Sequence, residues 1–429
     1  MASTRQIIRR GLWAVAALVF IAIAVFACMS WLAEREPHVP SVAVSNGAAQ
    51  VERGRYLALA GNCAACHTAR GGAPYAGGRE MATPFGGVYS SNLTPDATGL
   101  GQWSSDDFWR ALHHGKSKDG RRLYPAFPYT NYTKVTRADA DALFAYLRSV
   151  PPVNQPNIAH TLRFPYDQQA SLLAWRALYF RPGEFVPESA RDAQFNRGAY
   201  LVQGLGHCNA CHTARDPLGG SKTRADLAGG LIPVLNWYAH PLNPPAGGTR
   251  SAAHLERLLS TGISEQGAVY GPMAEVVYKS LQHLNKEDIA AIAGYLNALP
   301  PAPASEPPAK VDVADMARVM EAGARLYKKH CADCHGADGK GAGSDYPPLA
   351  GNPSLLMPSA VNPIRLVLNG GYPPGTAGNP RPYGMPPFRL ALSMEEVAVV
   401  LSYTRNAWSN KADLVYPVDV ERFAAVPLE

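Results

Sequence analysis

Cysteine is scarce in this chain, with seven residues in 429. That density excludes a disulfide framework, which belongs to short, cysteine-dense domains. Charged residues are few as well, 17% of the total with a formal net charge of +6. No basic and aromatic cluster accompanies the excess, so nucleic acid is not an expected partner; the charge would at most favour an acidic protein or anionic lipid. Nothing resembles a dinucleotide fold, a phosphate loop or an organised pair of catalytic carboxylates, so substrate chemistry by this chain alone is not expected and no catalytic residue is assigned. Glycine and proline, in contrast, are abundant at 39 and 37 residues, which predicts much loop and few long helices.

Six of the seven cysteines fall into one repeated pattern: Cys63-Ala64-Ala65-Cys66-His67, Cys208-Asn209-Ala210-Cys211-His212 and Cys331-Ala332-Asp333-Cys334-His335. C-x-x-C-H reads as covalent attachment of a c-type haem. Two thiols one helical turn apart reach both vinyl groups as thioethers, and the adjacent histidine is placed under the ring as an iron ligand. A single copy would be open to a zinc half-site or a redox dithiol. Three copies, each with its own histidine and no second C-x-x-C nearby to complete a zinc site, predict three covalently attached haems c.

The N-terminus supplies an address. A basic segment, 1–11, carries Arg5, Arg9 and Arg10 and precedes an uncharged apolar run at 12–33. That run is long enough to cross a bilayer as a helix, and the basic flank predicts a cytoplasmic N-terminus with the remainder on the periplasmic side of a bacterial inner membrane. A retained anchor is expected over a cleaved leader, whose apolar region would be shorter. Cys28, in Val25-Phe26-Ala27-Cys28, leaves lipidation as a further alternative.

The length suggests about three domains, which suits three small haem domains at 49–155, 190–300 and 318–408. A polar linker, 34–48, precedes the first. A proline-rich linker, 301–317, separates the second and third, and a tail, 409–429, wraps the last. The segment 156–189 contains Leu172, Leu173, Trp175, Leu178, Tyr179 and Phe180. It is too apolar for an idle linker; it packs between domains or against a partner, or completes the first domain. Gly54-Arg55-Tyr56-Leu57, Gly198-Ala199-Tyr200-Leu201 and Gly323-Ala324-Arg325-Leu326-Tyr327 form an internal repeat on the first helix of each unit, and the glycine predicts close helix–helix approach. Amphipathic helices at 137–150, 286–299 and 393–406 close the units. Capping boxes are expected at Thr136/Asp139 and Ser393/Glu396.

The motif histidine occupies one face of each iron, and the opposite ligand sets the potential, methionine raising it. In the third unit the best candidate is Met385, in Tyr383-Gly384-Met385-Pro386-Pro387-Phe388, where prolines stiffen the loop and Gly384 permits close approach to a ring. Met357 and Met394 are weaker choices. Met273, in Tyr270-Gly271-Pro272-Met273, holds the matching place in the second unit. An isolated methionine is usually core filler; the repeated position before the last helix argues for ligation here. The first unit departs from this. Phe127 stands at the corresponding place, in Leu123-Tyr124-Pro125-Ala126-Phe127-Pro128-Tyr129, and cannot ligate iron. Met81 is one substitute; His113 or His114, on a predicted helix 105–115, is another. His113 is preferred because Phe108 or Trp109, with Leu112, shares its inward side, although a buried structural histidine is the commoner role and an open first haem is a third possibility. His160, His207, His240, His254, His283 and His330 are read as structural or surface residues.

Further stretches carry a family resemblance: Asn196-Arg197-Gly198-Ala199-Tyr200-Leu201, Gly204-Leu205-Gly206-His207, Gly271-Pro272-Met273-Ala274, and Tyr89-Ser90-Ser91-Asn92-Leu93-Thr94-Pro95-Asp96 followed by Gly99-x-Gly101-x-Trp103-Ser104. With the three motifs, they make the chain resemble the trihaem cytochrome c subunit of bacterial membrane-bound dehydrogenases. The resemblance implies a mainly α chain of three tandem class I-like cytochrome c domains after the transmembrane helix. It also implies an electron-transfer role beside a large substrate-oxidising subunit, with ubiquinone or an oxidase-side protein as acceptor. In the alcohol and sugar branches methionine stands where this chain has Phe127. Pro125-Ala126-Phe127-Pro128 looks more like the branch whose partner contains molybdopterin and a small iron–sulfur subunit, and which oxidises aldehydes or N-heterocycles. A self-contained haem peroxidase or oxidase, and a free-standing electron relay, are the alternative readings.

Overall fold

A computed structural model describes residues 4–34, 36, 47–221, 226–244, 250–301, 312–343 and 345–424. Most of the expected 34–48 and 301–317 linkers lies outside the described residues. The fold is mostly α-helical, with three small antiparallel sheets of two or three short strands among the described residues.

The first helix, Thr4–Glu34, is longer than the apolar run because the basic residues before it continue the helix. Its stretch Ile8–Leu32 has a mean hydropathy of 2.7 and none of it is buried in the protein. Leu12, Phe20 and Trp31 face outward. By length and composition this helix is long and apolar enough to cross a bilayer.

Three helix pairs repeat along the remainder. Ala48–Ala60 crosses Arg137–Ser149, Ala193–Tyr200 crosses Lys286–Asn297, and Val313–His330 crosses Met394–Thr404. The repeated glycine marks every crossing. A Cβ on Gly54 would lie 1.9 Å from the Ala142 carbonyl oxygen, and one on Gly198 would lie 2.0 Å from that of Ala291. At Gly323 the nearest atoms are Tyr403 Cβ, 2.4 Å, and the Val399 oxygen, 2.9 Å. Each closing helix thus presents a carbonyl and, four residues on, a tyrosine: Tyr146, Tyr295 and Tyr403. Only glycine lets the backbones approach this closely. The second unit carries one more residue between its glycine and its first motif cysteine than the first unit does. A π-helical turn, Leu201–Leu205, occupies this stretch and takes up the extra residue.

Each pair has its own apolar core, and the first two cores interlock. Tyr200 and Leu205 from the second pair lie in the first core, and Ala60 from the first lies in the second. Polar contacts repeat the exchange. Arg53 and Tyr200 both donate to Asp139, while Arg197 and Tyr56 both donate to Asp288. Each aspartate therefore holds the arginine of its own unit and the tyrosine of the other. This corrects the capping box expected at Thr136/Asp139. Thr136 caps the Asp139 N–H, but the carboxylate turns to Arg53 and Tyr200 instead of back to the cap. The Ser393/Glu396 box is formed in full.

The structure gives form to two segments that the sequence places only loosely, the tail and the apolar stretch before the second unit. The C-terminal tail contains a helix, Pro417–Ala424, whose Val420 is fully buried in the third core. Residues Gln169–Tyr179 form a helix that packs on the N-terminal helix, with Phe180 and Tyr129 buried beneath it.

Candidate haem attachment sites

At each motif the backbone makes one helical turn: Cys63–Cys66, Asn209–His212 and Ala332–His335. The turn closes the same way each time. The histidine N–H donates to the carbonyl of the first cysteine, at 3.0 Å for His67, 3.0 Å for His212 and 2.9 Å for His335. In the first two units the turn is entered through a left-handed residue, Asn62 (φ 51°) or His207 (φ 37°). Arg79 braces the first turn by donating to the Ala65 carbonyl, and Arg215 braces the second at Ala210, the equivalent position, over 2.7 Å.

The imidazoles share one orientation device. His67 Nδ1 donates to the Ser91 carbonyl (2.8 Å), His212 Nδ1 to His240 (2.6 Å) and His335 Nδ1 to Pro347 (2.9 Å). Committing Nδ1 to a carbonyl fixes the tautomer and leaves Nε2 as the lone-pair donor, which is how ligand histidines are held. Burial lowers all three pKa values, against the raising effect of the carbonyl bond, and keeps the rings in the neutral, ligating form. All six motif thiols are free of disulfides. The donor set, two thiols and an oriented neutral imidazole on one turn, fits covalent haem c.

The opposite-face candidates sit as follows. Met385 is held by a two-bond bridge to Gly371, with N–H to carbonyl distances of 2.8 and 3.0 Å, and it packs on the third core. Gly370 makes this possible, since at φ 69° a Cβ would lie 2.4 Å from the Met385 carbonyl oxygen. Gly384 lies against the Tyr372 ring, where a Cβ would be 2.3 Å from Cε1. Met273 is the second residue of the helix Pro272–Lys279, which starts from Gly271 at φ 56° under Trp237; it packs on the second core. Phe127 packs on Tyr132, ring centres 5.2 Å apart, beside the first core.

His113 and His114 end the helix Ser105–His114 and are 4% and 3% exposed. His113 stacks on Trp109 at 4.3 Å and 17°, facing the first core. The His114 ring meets that of His113 edge-on at 4.7 Å, and its backbone carbonyl accepts from Arg176. Neither Nδ1 has a hydrogen-bond partner among the described residues. Burial, followed by the charge of His114, pushes the His113 pKa down to about 3; burial takes His114 to about 4. Met81 lies on the strand Glu80–Thr83, paired with Val88.

Helix pairs closing over one-turn C-x-x-C-H segments with oriented histidines define a c-type cytochrome. The cytochrome c family model matches residues 51–151 and 320–408, which hold the first and third motifs; the second lies between them. The chain is 40% identical to the gluconate 2-dehydrogenase cytochrome c subunit of Pantoea cypripedii over 85% of its own length and 87% of that protein's. It is 38% identical to the cytochrome c subunit of the quinone alcohol dehydrogenase of Komagataeibacter europaeus, covering 85% and 81%. A subunit of the nicotinate dehydrogenase of Pseudomonas putida is 42% identical over 89% of this chain, which spans only 32% of that longer protein. The chain belongs to the family of cytochrome c subunits of dehydrogenases. Its role in that family is electron transfer, linking substrate oxidation to a respiratory acceptor.

Proposed function

We propose that the chain carries three haems c and is the membrane-anchored redox subunit of a dehydrogenase whose substrate site lies in a separate large subunit. The domains would be 49–155, 190–300 and 318–408. Thioethers from Cys63 and Cys66, Cys208 and Cys211, and Cys331 and Cys334 would hold the haems, with His67, His212 and His335 on one iron face. Met273 and Met385 are the proposed ligands on the second and third irons, and His113 on the first. Bound haem supplies reversible one-electron chemistry; the chain's residues fix its position, exclude water and tune its potential.

The observation that carries the reading is the threefold Nδ1-to-carbonyl orientation of the motif histidines, including the second one, outside the family-matched segments. Phe127 and the 42% identity to a nicotinate dehydrogenase subunit favour an N-heterocycle or aldehyde substrate, with a molybdopterin and iron–sulfur partner. Ubiquinone or an oxidase-side protein would accept the electrons. Arg5, Arg9 and Arg10 before the span favour haem domains on the periplasmic face of the inner membrane. Intact mass of the denatured protein should exceed the polypeptide mass by three haems. A mass increment of two or fewer overturns the reading, as does isolation of the native protein without a cofactor-bearing large subunit.

A further inference from the structure

The acceptor of the His212 Nδ1 proton is the backbone of His240, and the side chain of His240 continues the contact into the third unit. Its Nε2 shares a 3.0 Å hydrogen bond with Ser354 Oγ. The Ser354 N–H donates to Asn352 Oδ1 (2.9 Å), and Asn352 Nδ2 donates to the Pro348 carbonyl (2.8 Å). One peptide bond back, the Pro347 carbonyl accepts from His335 Nδ1 (2.9 Å). The motif histidines of the second and third units are thus the two ends of a single path of covalent bonds and five hydrogen bonds.

The flanking contacts hold this path in register. Asn362 accepts from the Tyr238 N–H and donates to the Tyr238 carbonyl, both at 2.8 Å. The buried Arg365 guanidinium lies 5.0 Å over the Trp237 ring. The strand Trp237–Ala239 that leads into His240 is therefore clamped to the third unit at several points. His67 differs. The residue after its acceptor Ser91 is Asn92, whose side chain bonds Thr98, Val153 and Gln155, all before the second unit begins.

We propose that His240 and Ser354 form the electronic link between the second and third haem sites, joining them through their proximal histidines. The inference rests on the reading of three haem sites given above. A chain of bonds and short hydrogen bonds transmits electronic coupling better than an equal distance through space, and outer-shell partners of a ligand histidine tune the centre it serves. The step is one-electron transfer. One centre is oxidised and the other reduced, no bond is made or broken, and each hydrogen bond keeps its proton. His240 is a positioning residue that acts through His212.

The test uses the full-length holoprotein in detergent, with His240→Phe, Ser354→Ala and His240→Gln. Haem content is read by mass, individual potentials by spectroelectrochemistry, and electron equilibration between haems after a reducing pulse. With three haems retained, His240→Phe and Ser354→Ala should slow equilibration between the second and third centres on the order of tenfold, the low end of what loss of an outer-shell partner costs. The double variant should be no slower than His240→Phe alone, because both cut one path. His240→Gln, which keeps a hydrogen-bonding side chain, should recover most of the rate. Unchanged equilibration in both single variants, with three haems present, overturns the link. Fewer than three haems in the unmodified protein overturns the underlying reading instead.

Discussion

On the proposed reading, His113 and Phe127 set the character of the first centre. A buried imidazole with an unpartnered nitrogen is costly unless something completes it. His113 and His114 both have such a nitrogen among the described residues, but His113 is the one stacked on Trp109 of the first core, and the His114 ring meets His113 edge-on. His113→Ala should therefore change the low-temperature magnetic spectrum of the first centre, and His114→Ala should leave it as it was. Identical spectra for His113→Ala and the unmodified protein would remove His113 from the ligand set. At this scale the sequence is legible wherever function is local. The cysteines and histidines of the motifs are contiguous, so one helical turn dictates their arrangement. In sequence His240 looks no different from His254 or His283, because its partner Ser354 lies 114 residues away and nothing near it marks the contact.

Helices that cross at a glycine make a testable claim about backbones. Gly198 sits against the Ala291 carbonyl, with space for hydrogen alone. Gly198→Ala must separate the pair and should destabilise the second unit by about 3 kcal/mol or more, at or above the usual upper range for overpacking. Gly294 provides a control on the partner helix Lys286–Asn297, where a Cβ would meet nothing within 4 Å. Gly294→Ala should instead stabilise by about 0.5–1 kcal/mol through helix propensity. Opposite shifts in the denaturation midpoint are expected; equal shifts would show that the crossing tolerates a methyl group. The repeat glycines and the period of the closing helices are readable in the sequence because both are local patterns. The π-turn at Leu201–Leu205 is not, since a π-turn takes up one extra residue without changing the apolar pattern. The carboxylate of Asp139 escapes the local rule for a related reason. An acidic side chain at the third helical position satisfies the capping pattern, and only tertiary structure brings Arg53 and Tyr200 to compete for it.

The whole molecule is assembled through charges that the chain order keeps far apart. Asp139 and Asp288 lock the first two units to each other, and Glu34 locks the N-terminal helix to the first. Glu34 accepts from Arg176 Nε (2.7 Å) and Arg122 Nε (3.1 Å) and pairs with Lys116 (2.9 Å). The Arg176 side chain is fully buried, so removal of the helix would leave its guanidinium without this carboxylate. That contact gives the segment 169–179 a role that its sequence leaves open: it holds the N-terminal helix. Burial alone would raise the pKa of Glu34, but hydrogen bonds from Lys116 and Arg176 and the charge of Arg176 outweigh it and hold the group at about 2, against 4.5 when free. The depressed value means that docking is stabilised fully above about pH 5 and progressively less as pH falls from 4.5 toward 2, by an amount on the order of 3 kcal/mol in total. Trp175 lies on the docking helix and serves as the probe. In detergent, its fluorescence should titrate over that acid range in the unmodified protein, whereas Glu34→Gln should show the undocked signal at neutral pH and lose the transition. A transition of equal size in Glu34→Gln would assign the acid response to another carboxylate and leave the anchor held by apolar packing alone.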